Sequence, residues 1–311
     1  MLLWLVSPVF ANIVNGNLEL DFPATVALGA QFGDMAYSAC TGTLITPRII
    51  LTAAHCGSDL PPELIVQAGK AFFGNDVYTP DAVLGFSSFV LHPNYVPLES
   101  SIGGTLGEYD FSLLVLIEDA PVEPILFWRD TIDSTWIGKE IWSIGFGITG
   151  PNANDAGTKR SASLRISNVN DMFVLVDNND NPTDSNICSG DSGGTQMFFH
   201  EDWGQWIQIA VHSWGDQYCA SSSGSTRTDI VADWIFTTIE SVHGSTDICA
   251  INGYYDDDTC TTLPMCEDVD PACIVEEEKR MACQSSGAPE MGLFALVSAL
   301  LSVFGGRKRQ T

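Results

Sequence analysis

This 311-residue sequence predicts an all-β protein with little helix. Three observations point there. Apolar and polar residues alternate in short runs, the period of a strand with one buried face. Turn formers separate those runs, and the chain holds 28 glycines and 15 prolines. Helical spacing of apolar residues closes the pattern at Asp229 to Ile239, before the composition changes after Val242. No phosphate loop, metal-binding histidine cluster or internal repeat interrupts the pattern, so neither a cofactor nor a metal is expected.

In chain order, Met1 to Asn12 has an apolar body and a small-residue finish, Val9-Phe10-Ala11. It has the look of a short secretory signal that lacks a basic start. Ile13-Val14-Asn15-Gly16 follows. Thr43 to Ile50 reads as a strand that delivers Leu51-Thr52-Ala53-Ala54-His55-Cys56. Tyr109-Asp110 then puts an acid at the mouth of the apolar run Phe111 to Leu116. Cys188-Ser189-Gly190-Asp191-Ser192-Gly193-Gly194 is a glycine-rich turn with a serine at its centre, and Ser213-Trp214-Gly215 lies beyond it.

That turn has a chemical meaning. A serine hydroxyl is a poor nucleophile until a base takes its proton and backbone N–H groups hold the oxyanion it creates. Glycines allow the tight turn that aims two N–H groups at one point.

These landmarks, from Ile13 to about Val242, resemble the trypsin/chymotrypsin-like serine endopeptidases. The resemblance implies two six-stranded antiparallel β-barrels with the site in the cleft between them, followed by a C-terminal helix. It implies acyl transfer, with Ser192 attacking a peptide carbonyl, His55 as general base and then acid, and Asp110 orienting His55. The N–H groups of Gly190 and Ser192 would form the oxyanion hole. Ser213 would lie behind Asp110, and the backbone of Ser213, Trp214 and Gly215 would pair with substrate. His92, in Leu91-His92-Pro93-Asn94-Tyr95, matches a strand-end turn of the family without catalytic duty. His200, His212 and His243 match no motif.

The resemblance also assigns disulfides Cys40–Cys56 and Cys188–Cys219, which persist only in an oxidising compartment. It pairs Asp191 with the α-amino group that cutting before Ile13 would create, so the chain should be inactive or poorly formed around Gly190 until cut. Asn186 falls where a trypsin carries the pocket-floor aspartate, and Gly215 and Gly224 fall on the pocket walls. A neutral floor predicts uncharged residues before the scissile bond. Asp177-Asn178-Asn179-Asp180-Asn181 and Asp256-Asp257-Asp258 lack the spacing of a complete calcium loop. Lys70 stands where the family's calcium loop would offer an acidic ligand.

After the protease-like stretch 13–242, residues 243–290 hold Cys249, Cys260, Cys266, Cys273 and Cys283 among acidic runs, and read as a disulfide-stapled stalk. Met291 to Phe304 is uncharged and mostly apolar, and Arg307-Lys308-Arg309 follows. That apolar stretch is shorter than the roughly 20 residues of a bilayer span. Residues 291–311 resemble bacterial tripartite sorting signals, which implies a sorting or processing enzyme as partner; a retained membrane anchor is the other reading. The formal net charge of −26 disfavours nucleic acid as a partner. The expectation is an exported, surface-attached serine endopeptidase acting on polypeptides. The alternative is an inactive protease-like binding module, and an esterase on the same machinery is a third reading.

Overall fold

The computed structural model describes residues 13–99, 105–178, 184–255 and 266. The signal-like stretch 1–12, most of the acidic stalk and the apolar C-terminal segment with its sorting-signal resemblance lie outside the described residues. A compact unit runs to Gly253, and a second unit begins at Tyr254.

The first strands are β1 (Asn17–Leu18), β2 (Thr25–Phe32), β3 (Met35–Thr46), β4 (Ile49–Thr52), β5 (Gly69–Phe73) and β6 (Ala82–Leu84). Next come β7 (Phe86–Leu91), β8 (Val96–Glu99), β9 (Thr105–Glu108) and β10 (Ser112–Leu116). The later strands are β11 (Glu140–Gly145), β12 (Arg160–Arg165), β13 (Asn168–Val169) and β14 (Phe173–Asp177). They end with β15 (Thr195–His200), β16 (Gln205–Gly215) and β17 (Ser222–Arg227).

Two sheets carry the fold. The first has the order β6-β5-β2-β3-β4-β10-β7. β6 pairs with β5 at one edge and β7 with β10 at the other, yet only Gly85 separates β6 from β7. One bent strand thus joins both edges and closes a barrel of six strands. The second order is β1-β12-β11-β15-β16-β17-β14-β13. Here β12 and β13, two pieces of the segment 160–169, occupy the positions that close the sheet, while β1 adds two residues beside β12. Every pairing within both sheets is antiparallel, so the two six-stranded barrels expected from the sequence are present.

Alternation explains the cores. Leu28, Leu44, Ile50, Phe73 and Leu114 fill the first barrel. Ile141, Leu164, Val174, Val176 and Ile209 fill the second. Each such side chain contributes about 1.5–3 kcal/mol by leaving water. Phe146 of the second barrel packs with Ala27 and Phe72 of the first, sealing the seam.

There are three α-helices among the described residues: α1 (Pro62–Ala68), α2 (Ala232–His243) and α3 (Ile248–Ile251). The helix expected at Asp229 to Ile239 begins instead with a 3-10 turn over Thr228–Val231 and continues as α2. Gly244, at φ +72°, ends it with a hydrogen bond to the Glu240 carbonyl, the left-handed cap that glycine accommodates. From α2, Trp234 packs edge-on to His92 and His243 Nε2 meets Thr46 Oγ1 at 2.9 Å. The helix therefore follows the second barrel and clamps the first. No described helix is long and apolar enough to cross a membrane.

Candidate active site

The base arrives on the end of β4. After Thr52, the buried alanines Ala53 and Ala54 leave room for a 3-10 turn, Ala54–Cys56, packed flat against the barrel. Ser112 Oγ donates to the Ala53 carbonyl at 2.9 Å, and the Cys40–Cys56 disulfide ties the turn to β3. The turn carrying His55 is thereby held on both sides, at Ala53 before it and at Cys56 after it. Cys40, His55 and Cys56 lie close enough to suggest a metal site, but the two sulfurs are bonded to each other, leaving only one ligand.

Asp110 precedes β10 and is fully buried. Its Oδ1 accepts from the His55 backbone N–H at 2.9 Å, and its Oδ2 lies 2.7 Å from His55 Nδ1. Ser213 Oγ donates to the same Oδ2 at 2.6 Å. Three donors on one buried carboxylate satisfy it and set the imidazole plane.

The serine turn is built on the second barrel. Gly190 has φ +93°, and a Cβ there would stand 2.8 Å from the Gly147 Cα, so the backbones meet where only glycine fits. Gly193, at φ +79°, would drive a Cβ to 2.0 Å from Thr52 Oγ1. Gly193 N–H donates to the His212 carbonyl at 2.7 Å, and His212 N–H donates to the Gly194 carbonyl at 2.9 Å. Ser192 shares a cavity of about 190 Å³ with His55, Ser213, Trp214 and Gly215.

Two threonines missed in the sequence lock this turn to the other barrel. Thr41 N–H donates to the Ser192 carbonyl at 2.8 Å, and Thr41 Oγ1 donates to the Gly190 carbonyl at 2.9 Å. Thr41 Oγ1 also accepts from Phe146 N–H at 3.0 Å, while Thr52 Oγ1 donates to the Thr41 carbonyl at 2.7 Å. In the sequence both are ordinary strand threonines; their value comes only from the pairing of β3 with β4 and the approach of the second barrel.

Asp191 is fully buried and turns away from the cavity. Its Oδ1 accepts from Gly147 N–H and its Oδ2 from Cys188 N–H, each at 2.8 Å. Burial pushes its carboxyl up to about 7, with the two N–H donors and the Arg160 charge opposing that rise. Ile13 is only 1% exposed, and Val14 forms an antiparallel bridge with Asn186, so the N-terminal segment is threaded into the second barrel.

Asn186 is buried, with Oδ1 accepting from Ile187 N–H at 2.9 Å and Nδ2 without a hydrogen-bond partner. The side chain that reaches the cavity is its neighbour Ile187, which no motif singled out. Gly215 lines the cavity; Gly224 instead lies under Trp214, where a Cβ would come within 2.3 Å of the indole nitrogen. The Cys188–Cys219 disulfide closes the loops around this wall, and both bridges expected from the resemblance are formed. His212, also without a motif, is buried behind Gly194, and burial lowers its pKa to about 3. Its Nδ1 lies 3.0 Å from Ser225 Oγ.

Known proteins agree with this arrangement. A family model described as Trypsin matches residues 17–235. The chain is 29% identical over 245 residues to "Chymotrypsin" of Phaedon cochleariae, spanning 74% of this chain and 83% of that protein. It is 28% identical over 261 residues to "CLIP domain-containing serine protease B10" of Anopheles gambiae, spanning 72% of this chain and 68% of that one. For "Serine protease 28" of Mus musculus the identity is 26% over 230 residues, covering 65% and 78% of the two chains. With the barrels, their order and the family match in agreement, this chain belongs to the trypsin family.

Proposed function

We propose that the chain is an exported serine endopeptidase working through an acyl-enzyme on Ser192. The observation that carries the reading is the line of contacts from Ser213 Oγ through Asp110 Oδ2 to His55 Nδ1, beside a cavity that His55 and Ser192 share. Asp110 holds the Nδ1–H of His55, which leaves Nε2 to take the Ser192 proton as the hydroxyl attacks a peptide carbonyl. The imidazolium so formed is stabilised by the Asp110 carboxylate and then protonates the leaving amine. Water repeats the cycle in reverse to release the acyl group. Gly190 and Ser192 N–H groups hold the oxyanion, in a turn whose glycine conformations are compatible with that role.

Activation follows from Asp191. Cutting before Ile13 would release an α-ammonium beside a buried carboxyl that lacks a full counter-charge. Ile187 lines the substrate pocket, and the resemblance puts the neutral Asn186, buried next to it in the chain, at the pocket floor, which favours uncharged side chains before the scissile bond. The disulfides favour export. Residues 243–290 would then act as a stalk, and 291–311 as an anchor or sorting segment.

Fluorophosphonate labelling of the exported protein, beside Ser192→Ala, tests the reading. Labelling of the wild type alone, on chains starting at Ile13, is the expected result. Absence of labelling on chains with a free Ile13 would mean an idle site and favour the binding-module reading. Peptide-library cleavage chiefly after arginine would refute the pocket assignment, and turnover of esters without peptides would make the enzyme an esterase.

A further inference from the structure

A second and larger concavity lies on the outer face of the second barrel. It encloses about 1020 Å³, beyond the roughly 300–1,000 Å³ of small-molecule pockets, and shares no lining residue with the cavity of Ser192. Five aromatic side chains line it: Phe22, Trp142, Phe198, Phe199 and Trp206. Trp206 is their hub, with ring centroids 5.5 Å from Phe22, 5.3 Å from Phe199 and 6.3 Å from Trp142. The concavity is strongly one-signed: Glu19, Asp21, Glu140, Glu201 and Asp202 line it against the single cation Lys139.

Two details show what chemistry this surface recognises. Glu19 is only 8% exposed and is held in place by Trp142 Nε1–H at 3.2 Å, Ser161 Oγ–H and the Asp21 N–H at 2.9 Å. These three donors fix the carboxyl in place beside the indole of Trp142. Lys139 gives the second: its ammonium sits 4.1 Å from the Trp136 ring centroid and 4.9 Å from that of Phe198. Lys139 thus already stands over the ring of Phe198 in the groove and of Trp136 beside it, and Phe199 and Trp206 offer further rings in the same groove as Glu201 and Asp202, while the buried Lys159 faces Glu19 and Asp21. Aromatic faces attract cations, and carboxylates supply their counter-charge.

We propose that this groove is an exosite for a lysine- or arginine-bearing stretch of polypeptide, docked away from the bond that Ser192 would cleave. Its volume suits several side chains in a row, and its sign excludes acidic or phosphorylated partners. The site stands independently of the proposed catalysis, so it is tested on the full-length Ser192→Ala protein, which leaves the probe uncut.

The probe is a short fluorescein-labelled lysine-rich peptide, with a glutamate-rich twin, followed by fluorescence anisotropy. The lysine peptide should bind and the twin should not. Combining Glu201→Gln, Asp202→Asn and Phe199→Leu should weaken binding about tenfold or more, because two counter-charges and one cation–π face are lost. Glu118→Gln with Glu123→Gln, on exposed acids outside the groove, should leave it unchanged. Equal weakening by both sets would mean diffuse attraction to an acidic protein and overturn the proposal. So would undiminished binding in the groove variant, no binding at all, or concentration-dependent self-association in place of peptide binding.

Discussion

Neutralising Asp191 should remove one pH-dependent contribution to the stability of the uncut chain. A carboxyl raised from 3.8 to about 7 is stable when protonated and costly when charged. Three pH units at about 1.4 kcal/mol each give a cost of about 4 kcal/mol once the group is ionised. The sign is that of a raised group: its contribution is complete below the unfolded pKa and disappears as pH rises through about 7. His212 opposes this slope, because its lowered pKa makes acidification costly over much of the same window. The useful quantity is therefore the difference between the Ser192→Ala protein and the same protein carrying Asp191→Asn. Urea unfolding of the two uncut proteins from pH 4 to pH 8 should show that difference moving against Asp191 by about 4 kcal/mol. The asparagine forfeits one of two backbone acceptors, a roughly constant offset of about 1–3 kcal/mol that does not affect the slope. After cutting before Ile13, the new ammonium should remove the slope near neutrality. A flat difference in the uncut chain, or the same slope before and after cutting, would refute the reasoning.

Three further outcomes follow from the same contacts. Thr41→Val keeps the shape but strands the Gly190 carbonyl and Phe146 N–H, and should cost roughly 2–4 kcal/mol in chemical unfolding; its kcat should fall more than its KM changes. Gly190→Ala, placed at φ +93° and against Gly147, should lower kcat/KM by on the order of a thousandfold while fluorophosphonate labelling slows in parallel. His212→Val should flatten the acid limb of stability between about pH 6.5 and about pH 3, a span worth up to about 5 kcal/mol in the wild type, as thermal melts across pH would show.

The sequence was most readable where chemistry is local. Gly190 to Gly194 needs glycine at fixed places within one turn, and His55 and Asp110 each sit at a strand end, so short windows reveal them. Thr41 and Thr52 were invisible for the opposite reason. The Thr41 hydroxyl acts on Gly190, far along the chain, the Thr52 hydroxyl acts across the β3–β4 pairing, and a threonine in a strand is unremarkable for its propensity alone. Ile187 was overshadowed by Asn186, because strand direction decides which of two neighbours faces a cavity. Barrel closure through Gly85 was equally hidden, since a glycine between apolar runs reads as an ordinary break. The aromatic groove draws on β11, β15, β16 and the segment just after β1, which only the second sheet brings together.

The threonine locks have a kinetic implication. Thr41 of one barrel holds the backbone of the turn grown from the other, while Ser213 of the second barrel steadies the acid of the first. Each half thus supplies part of the scaffold for the other half's reactive group. A small hinge at the seam would misalign all three side chains at once with both barrels still folded. Loss of turnover should therefore precede loss of circular dichroism as denaturant rises, and should return first when it is diluted. Inactivation of this kind would be a reversible uncoupling of two intact bodies, with enzymatic rate serving as a gauge of how well they mesh.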